Sequence, residues 1–182
     1  MENLSEEERL VRRNGQYVHL GGSVFPEFSP VTHCIPRGQF QPSSRHRIIR
    51  TMDSGYTNPT VWLWMAVDED GTIVVFREHY QAKLNVADHA QIVNDITNRV
   101  LKTSGIKDVY LTTGDPVIKQ TKEHTGTSIQ QEYAKHGIYV AVDQIPNDRR
   151  VGLEKIQQYM KMNPNSLLLA HDLKTEILFF VQ

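Results

Sequence analysis

Arg47-Ile48-Ile49-Arg50-Thr51-Met52-Asp53-Ser54-Gly55-Tyr56-Thr57-Asn58-Pro59 reads as an apolar strand that breaks at a carboxylate, with glycine and proline close behind it. Val109-Tyr110-Leu111-Thr112-Thr113-Gly114-Asp115-Pro116 repeats the arrangement. An acid at the end of a strand, followed by a bend, is an exposed group on a rigid support. The fold turns on whether these two strands are neighbours.

Working outward from the first stretch, residues 60–67 (Thr-Val-Trp-Leu-Trp-Met-Ala-Val) form a second strand with little polar alternation, as expected when both faces are covered. Asp70-Gly71 is a hairpin turn and a third strand follows at 72–80. Short connections make these three strands antiparallel. The period then changes. Ala90, Val93, Ile96, Val100 and Leu101 recur at helical spacing from about Val86, and Gly105 ends the run. A fourth strand is expected at 108–113, a helix from Ser128 to His136 stopped by Gly137, a strand at 138–142, a helix at 149–161 and a last strand at 167–169. The segment 173–181 has no clear type.

The order is β-β-β-α-β-α-β-α-β, an α/β mixed sheet flanked by helices. Three antiparallel strands followed by alternating helices and parallel strands is the arrangement of the ribonuclease-H-like fold. A doubly wound nucleotide-binding domain opens instead on a β-α-β unit. No glycine-rich loop follows the first strand, and no GxxxxGK[ST] loop occurs, so there is no phosphate-cradling ATP site.

The 182 residues suffice for one domain with a substantial core. One cysteine, Cys34, excludes an intrachain disulfide framework, and no apolar run approaches the ~20 residues needed to cross a membrane. The polar, acidic start from Met1 to Arg13 is not a secretion signal. A formal net charge of −1 argues against tight autonomous DNA binding. Residues 1–46 differ from the remainder. A hairpin around Gly21-Gly22 and four prolines between Pro26 and Pro42 give an extension or linker packed over the domain, which then occupies 47–182.

If the first and fourth strands pair, Asp53 and Asp115 meet at one sheet edge. Two ionised carboxylates that close repel unless a cation lies between them. Magnesium or manganese suits such hard oxygen ligands and supports phosphodiester hydrolysis. The alternative is a pair of turn-forming aspartates serving Gly55 and Pro116. Gly55 permits unusual dihedrals or a close approach of backbone to substrate. Tyr56 and Asn58 follow the first acid, Lys119 and Lys122 follow the second, and Arg149 and Arg150 open the last helix. These are candidate backbone contacts to DNA. Trp62 and Trp64 share one face and belong in the core. The histidines have no metal-ligand spacing and read as surface residues or local hydrogen-bond partners.

Several stretches together resemble the nuclease domain of phage large terminase subunits. They are residues 47–60, Thr113-Gly114-Asp115-Pro116, Thr125-Gly126-Thr127-Ser128-Ile129, Gly137-Ile138, Asn147-Asp148-Arg149-Arg150 and Val151-Gly152-Leu153. Residues 15–28 resemble the segment preceding that domain. Each motif is weak alone, but their order and spacing cover most of the chain. The resemblance implies a ribonuclease-H-like endonuclease that cuts concatemeric double-stranded DNA with Mg2+ or Mn2+. Asp53 and Asp115 would be its metal ligands, and Glu78 a supporting acid at the end of the third strand, beside the first. It also implies portal and small terminase subunit partners, no membrane, and the cytoplasm of an infected bacterial host.

Two departures accompany the resemblance. The family's ATPase domain is not in this sequence, and its usual third aspartate is not found. The sequence reads as a terminase domain truncated at its C-terminus, with Glu176 and Asp172 the only late acids and Glu176 the better match to a metal ligand. A catalytically silent fragment that contacts DNA or the portal is the alternative, and a nucleotide-binding regulatory domain the weakest reading.

Overall fold

The computed structural model describes residues 25–36, 38–121, 126–142, 149–162 and 167–170. In chain order the elements are α1 (Pro30–His33), β1 (Cys34–Ile35), β2 (Arg47–Asp53), β3 (Thr60–Val67), β4 (Ile73–Gln81) and α2 (Val86–Ser104). Then come β5 (Leu111–Gly114), a 3-10 turn (Pro116–Lys119), α3 (Ile129–Lys135), α4 (Arg149–Met162) and β6 (Leu167–Ala170). The six strands form one sheet in the order β1-β6-β4-β3-β2-β5. β2, β3 and β4 are antiparallel, whereas β5 pairs parallel with β2, and β6 parallel with β4 and β1. This is the α/β mixed sheet expected from the element order.

Residues of β3 are buried on both faces because the sheet carries a core on each side. On one side Ile48, Met52, Trp62, Trp64 and Ala66 pack against Ala90, Val93 and Val100 of α2 and Tyr133 of α3. On the other, Leu63, Val75, Leu167 and Leu169 meet Phe25 and Met160, the latter from α4. Each large apolar side chain so buried contributes about 1.5–3 kcal/mol. Trp62 and Trp64 are wholly buried core residues.

Part of the segment before Arg47 is built into this architecture. Phe25 enters the second core, and Cys34–Ile35 adds the outermost strand beside Leu169 and Ala170. The expected hairpin at Gly21-Gly22 and the segment 173–181 lie outside the described residues. The expected strand at 138–142 is reduced to one bridge, Thr113 to Ala141, in which the Ala141 N–H donates to the Thr112 carbonyl at 2.8 Å.

Local signals set the helix ends. The Asn85 side chain accepts from the Asp88 N–H at 2.9 Å and caps α2, which Gly105 ends at φ 71°. Ser128 and Gln131 form a reciprocal capping box on α3. Between α2 and the sheet lies Arg50, only 6 % exposed, and burial pushes its guanidinium down to about 10. Its Nη1 donates to Thr97 Oγ1 at 2.9 Å, and its Nε and Nη2 to Thr112 Oγ1 at 3.1 and 2.9 Å.

Candidate functional site

The two acids do come together. Thr51 pairs with Thr113 and Met52 with Gly114 across the parallel β2–β5 ladder, so Asp53 and Asp115 leave adjacent strands at the same level. A glycine lets these strands close. A Cβ at Gly114 would stand 2.8 Å from Met52 Cγ and 3.2 Å from the Met52 carbonyl oxygen. Both carboxylates are exposed.

Asp115 Oδ1 accepts the Val117 N–H at 2.7 Å and caps the 3-10 turn, where Pro116 has no N–H to satisfy. That bond fixes the side chain through one oxygen. Asp53 accepts from the Ser54 N–H, which favours its charged form. Partial loss of hydration, and then the neighbouring Asp115 charge, outweigh that bond and raise the Asp53 carboxyl above its ordinary value. The pair is therefore electrostatically frustrated in the way a divalent cation relieves. Magnesium is commonly held by one or two carboxylates, with water and substrate phosphate completing its shell, and two hard oxygen donors at an open edge fit that chemistry.

The loop after Asp53 is pinned at both ends. Thr60 Oγ1 accepts the Gly55 N–H at 3.1 Å and donates to the Gly55 carbonyl at 2.7 Å. The Lys83 N–H donates to the Tyr56 carbonyl at 2.9 Å, and Lys83 takes the left-handed φ of 62°. Gly55 does not use the left-handed region. It is needed because a Cβ there would meet the Asn58 carbonyl carbon and the Pro59 oxygen, each at 2.9 Å.

Glu78 requires a correction. The expectation put it beside the first strand, but β3 lies between. Glu78 faces Leu63 across β4–β3, and Leu63 faces Thr51, so two strand spacings of about 4.8 Å separate Glu78 from β2. It borders instead a recess shared with Pro36, Phe40 and Arg99. Among the described residues no group of three His, Cys, Asp or Glu is placed to hold a metal. Glu176, Asp172 and Lys122 lie outside the described residues.

Tyr56 and Asn58 are exposed on the Asp53 loop, and exposed Lys119 ends the turn that Asp115 begins, so all three stand near the pair in sequence. Arg149 and Arg150 do open α4. Arg150 Nη1 meets Glu154 Oε1 at 3.3 Å, an exposed pair within the helix.

One pair of residues was not anticipated. His79 of β4 and His89 of α2 are 7 % and 2 % exposed, with His79 Nε2 and His89 Nδ1 at 2.7 Å and the rings edge to face. Burial, and next the His89 charge, push His79 down to about 4 against the opposing pull of Glu78. Burial also lowers His89, opposed by Asp88. The two residues are ten apart in sequence. Only the β4–α2 packing joins them, and their spacing in sequence is not that of a metal-ligand pair.

No protein-family model and no curated protein sequence matches the chain. Solved structures do. The large terminase nuclease domain of phage P22 is similar with a TM-score of 0.66 at 13 % identity, covering 88 % of this chain and 78 % of that one. The large terminase of the thermophilic bacteriophage D6E is similar with a TM-score of 0.66 at 14 % identity, covering 87 % of this chain and 37 % of its own. Its complex with ADP gives 0.68 over 87 % and 36 %. The chain thus spans 37 % of the D6E protein's length, little more than a third. The shared fold is the ribonuclease-H-like one of phage terminase nuclease domains, as the sequence motifs implied. Among the described residues no helix is long and apolar enough to cross a membrane.

Proposed function

We propose that the chain is a divalent-metal-dependent endonuclease domain of the viral DNA-packaging terminase type, cleaving concatemeric double-stranded DNA by phosphodiester hydrolysis. The observation that carries this reading is the level, parallel placement of Asp53 and Asp115 at one open sheet edge. The fold shared with the P22 nuclease domain supports it.

Asp53 and Asp115 would hold Mg2+ or Mn2+, which supplies charge to activate water and stabilise the departing oxygen. The chain's own contribution is to hold and orient. The Val117 N–H fixes Asp115, and the Ser54 N–H fixes Asp53. Both strands are rigid, so the carboxylates are presented without rearrangement. Tyr56 and Asn58 on one side, with Lys119 on the other, flank the pair and bind the sugar-phosphate backbone, which positions DNA without reading sequence. Portal and small terminase subunit are the partners this reading implies, and the host cytoplasm its place of action.

A second reading is a catalytically silent module that contacts DNA or the portal. The absence of a third acid near the pair among the described residues favours it. Supercoiled plasmid incubated with the chain in EDTA, magnesium or manganese separates the two. Nicking that needs metal and disappears in Asp53→Ala supports the nuclease. No nicking by folded protein at any metal concentration overturns it in favour of the silent module.

A further inference from the structure

Strand parity decides which side of the sheet serves the acid pair. Ile48 and Met52 of β2 enter the core beneath α2, so Arg47, Ile49, Thr51 and Asp53 turn to the opposite side. Thr51 pairs with Thr113, which puts Leu111, Thr113 and Asp115 on that side as well. Beyond β5, Ile138, Val140 and Val142 are buried in the first core. Tyr139 and Ala141 therefore face the acids' side, with Ala141 level with Thr113. Among the described residues the second core, which includes α4, draws on β1, β3, β4 and β6 and takes nothing from β2 or β5. The acid pair thus heads a strip of sheet face that belongs to neither core.

The far end of this strip carries a cation on an aromatic ring. Arg47 begins β2 and is exposed, and its Cζ lies 5.1 Å from the centroid of the Tyr110 ring. Stacking fixes the plane of the guanidinium and leaves its edge N–H groups free to donate. No carboxylate among the described residues pairs with Arg47. A planar guanidinium of this kind matches a phosphate in a two-pronged contact. Tyr110 and Tyr139 are 63 % and 76 % exposed, and tyrosine hydroxyls are common contacts to sugar and phosphate. Six strand steps of about 3.3 Å separate Arg47 from Asp53, roughly 20 Å in all. At 3.4 Å of rise per base pair that distance is about six base pairs.

We propose that duplex DNA presented to Asp53 and Asp115 lies along β2 and β5 on this strip, with Arg47, backed by Tyr110, gripping a phosphate about six base pairs from the scissile one and Tyr139 touching the backbone between them. The inference rests on the nuclease reading for what happens at the acids. Arg47 is a positioning residue: it sets the axis of the DNA and takes no part in hydrolysis. A duplex suits two such contacts because it is stiff over this length, its persistence length being about 50 nm.

Anisotropy of a duplex of roughly 20 base pairs in EDTA, between about 50 and 200 mM salt, counts phosphate contacts without cleavage. Arg47→Gln should flatten the dependence of log affinity on log salt by about 0.9, the weight of one phosphate, and Arg47→Lys should keep the wild-type slope. Arg99→Gln removes an exposed cation from α2, on the other side of the sheet, and should leave the slope unchanged. An unchanged slope in folded Arg47→Gln, or an equal loss in Arg99→Gln, overturns the proposal. Plasmid nicking by the wild-type preparation keeps the two readings apart. Nicking together with an unchanged Arg47→Gln slope leaves the nuclease and removes the strip. A flattened slope without wild-type nicking removes the nuclease reading and leaves a duplex-binding face.

Discussion

Asp53 and Asp115 stand one residue beyond the Met52–Gly114 pair of a parallel ladder, and the Asp115 charge helps to raise the Asp53 carboxyl. The ladder forces the proximity. β5 can approach β2 only because Gly114 has no side chain to strike Met52. The repulsion this creates is what a divalent cation held between the two carboxylates would relieve.

Partial loss of hydration at Asp53, and next that repulsion, have a measurable stability consequence. The folded chain holds the Asp53 proton more tightly than an ordinary carboxylate of 3.8 does. Between the two values the folded state binds more protons than the unfolded state, so stability falls as pH rises through the folded value. At neutral pH in EDTA, Asp53→Asn should therefore melt roughly 1–3 °C above wild type. Manganese should raise the wild-type melting temperature and leave the variant's unchanged. Thermal melts of both proteins check this.

The histidine pair acts with the opposite sign. His79 falls from 6.5 to about 4 on folding, so the unfolded chain binds the extra proton in that window. Stability is complete above 6.5 and is lost as pH drops towards 4. His79→Gln should flatten the decline in melting temperature between about pH 7 and pH 5. An equally steep decline in the variant would show that the pair is not its source.

Thr97 is the hub of a buried network. Its hydroxyl accepts from Arg50 Nη1 at 2.9 Å and Trp64 Nε1 at 3.1 Å, and donates to the Val93 carbonyl at 2.7 Å. Thr97→Val keeps the shape and orphans two buried donors, one of them charged. The expected cost is about 2–4 kcal/mol in urea unfolding. Arg50→Met in that background should recover part of the loss.

Gly55→Ala drives a methyl group into the Asn58–Pro59 backbone. The displaced loop carries Tyr56 and follows Asp53 directly, so nicking should fall about tenfold or more. Gly152→Ala is the control. Nothing lies within 4 Å of the added carbon in α4, so stability should hold or rise by up to about 1 kcal/mol with nicking unchanged.

Local chemistry made much of this legible in the sequence. β2 and β3 fall where their apolar runs place them, and Gly105 and Gly137 end their segments at φ 71° and 75°. The acid pair followed from two strand ends and one pairing assumption, which the β2–β5 ladder satisfies. Glu78 was misplaced because chain order does not reveal that β3 sits between β2 and β4. The strand at 138–142 was over-read, since apolar composition alone does not supply a ladder partner. His79 and His89 were missed because their meeting depends on how α2 lies across the sheet.

Manganese binding to the metal-free protein, followed by electron paramagnetic resonance, tests the central claim most directly. Saturable binding by wild type that is lost in both Asp53→Ala and Asp115→Ala is the expected result. Binding of undiminished affinity in either folded variant would contradict the assignment of the pair as the metal site.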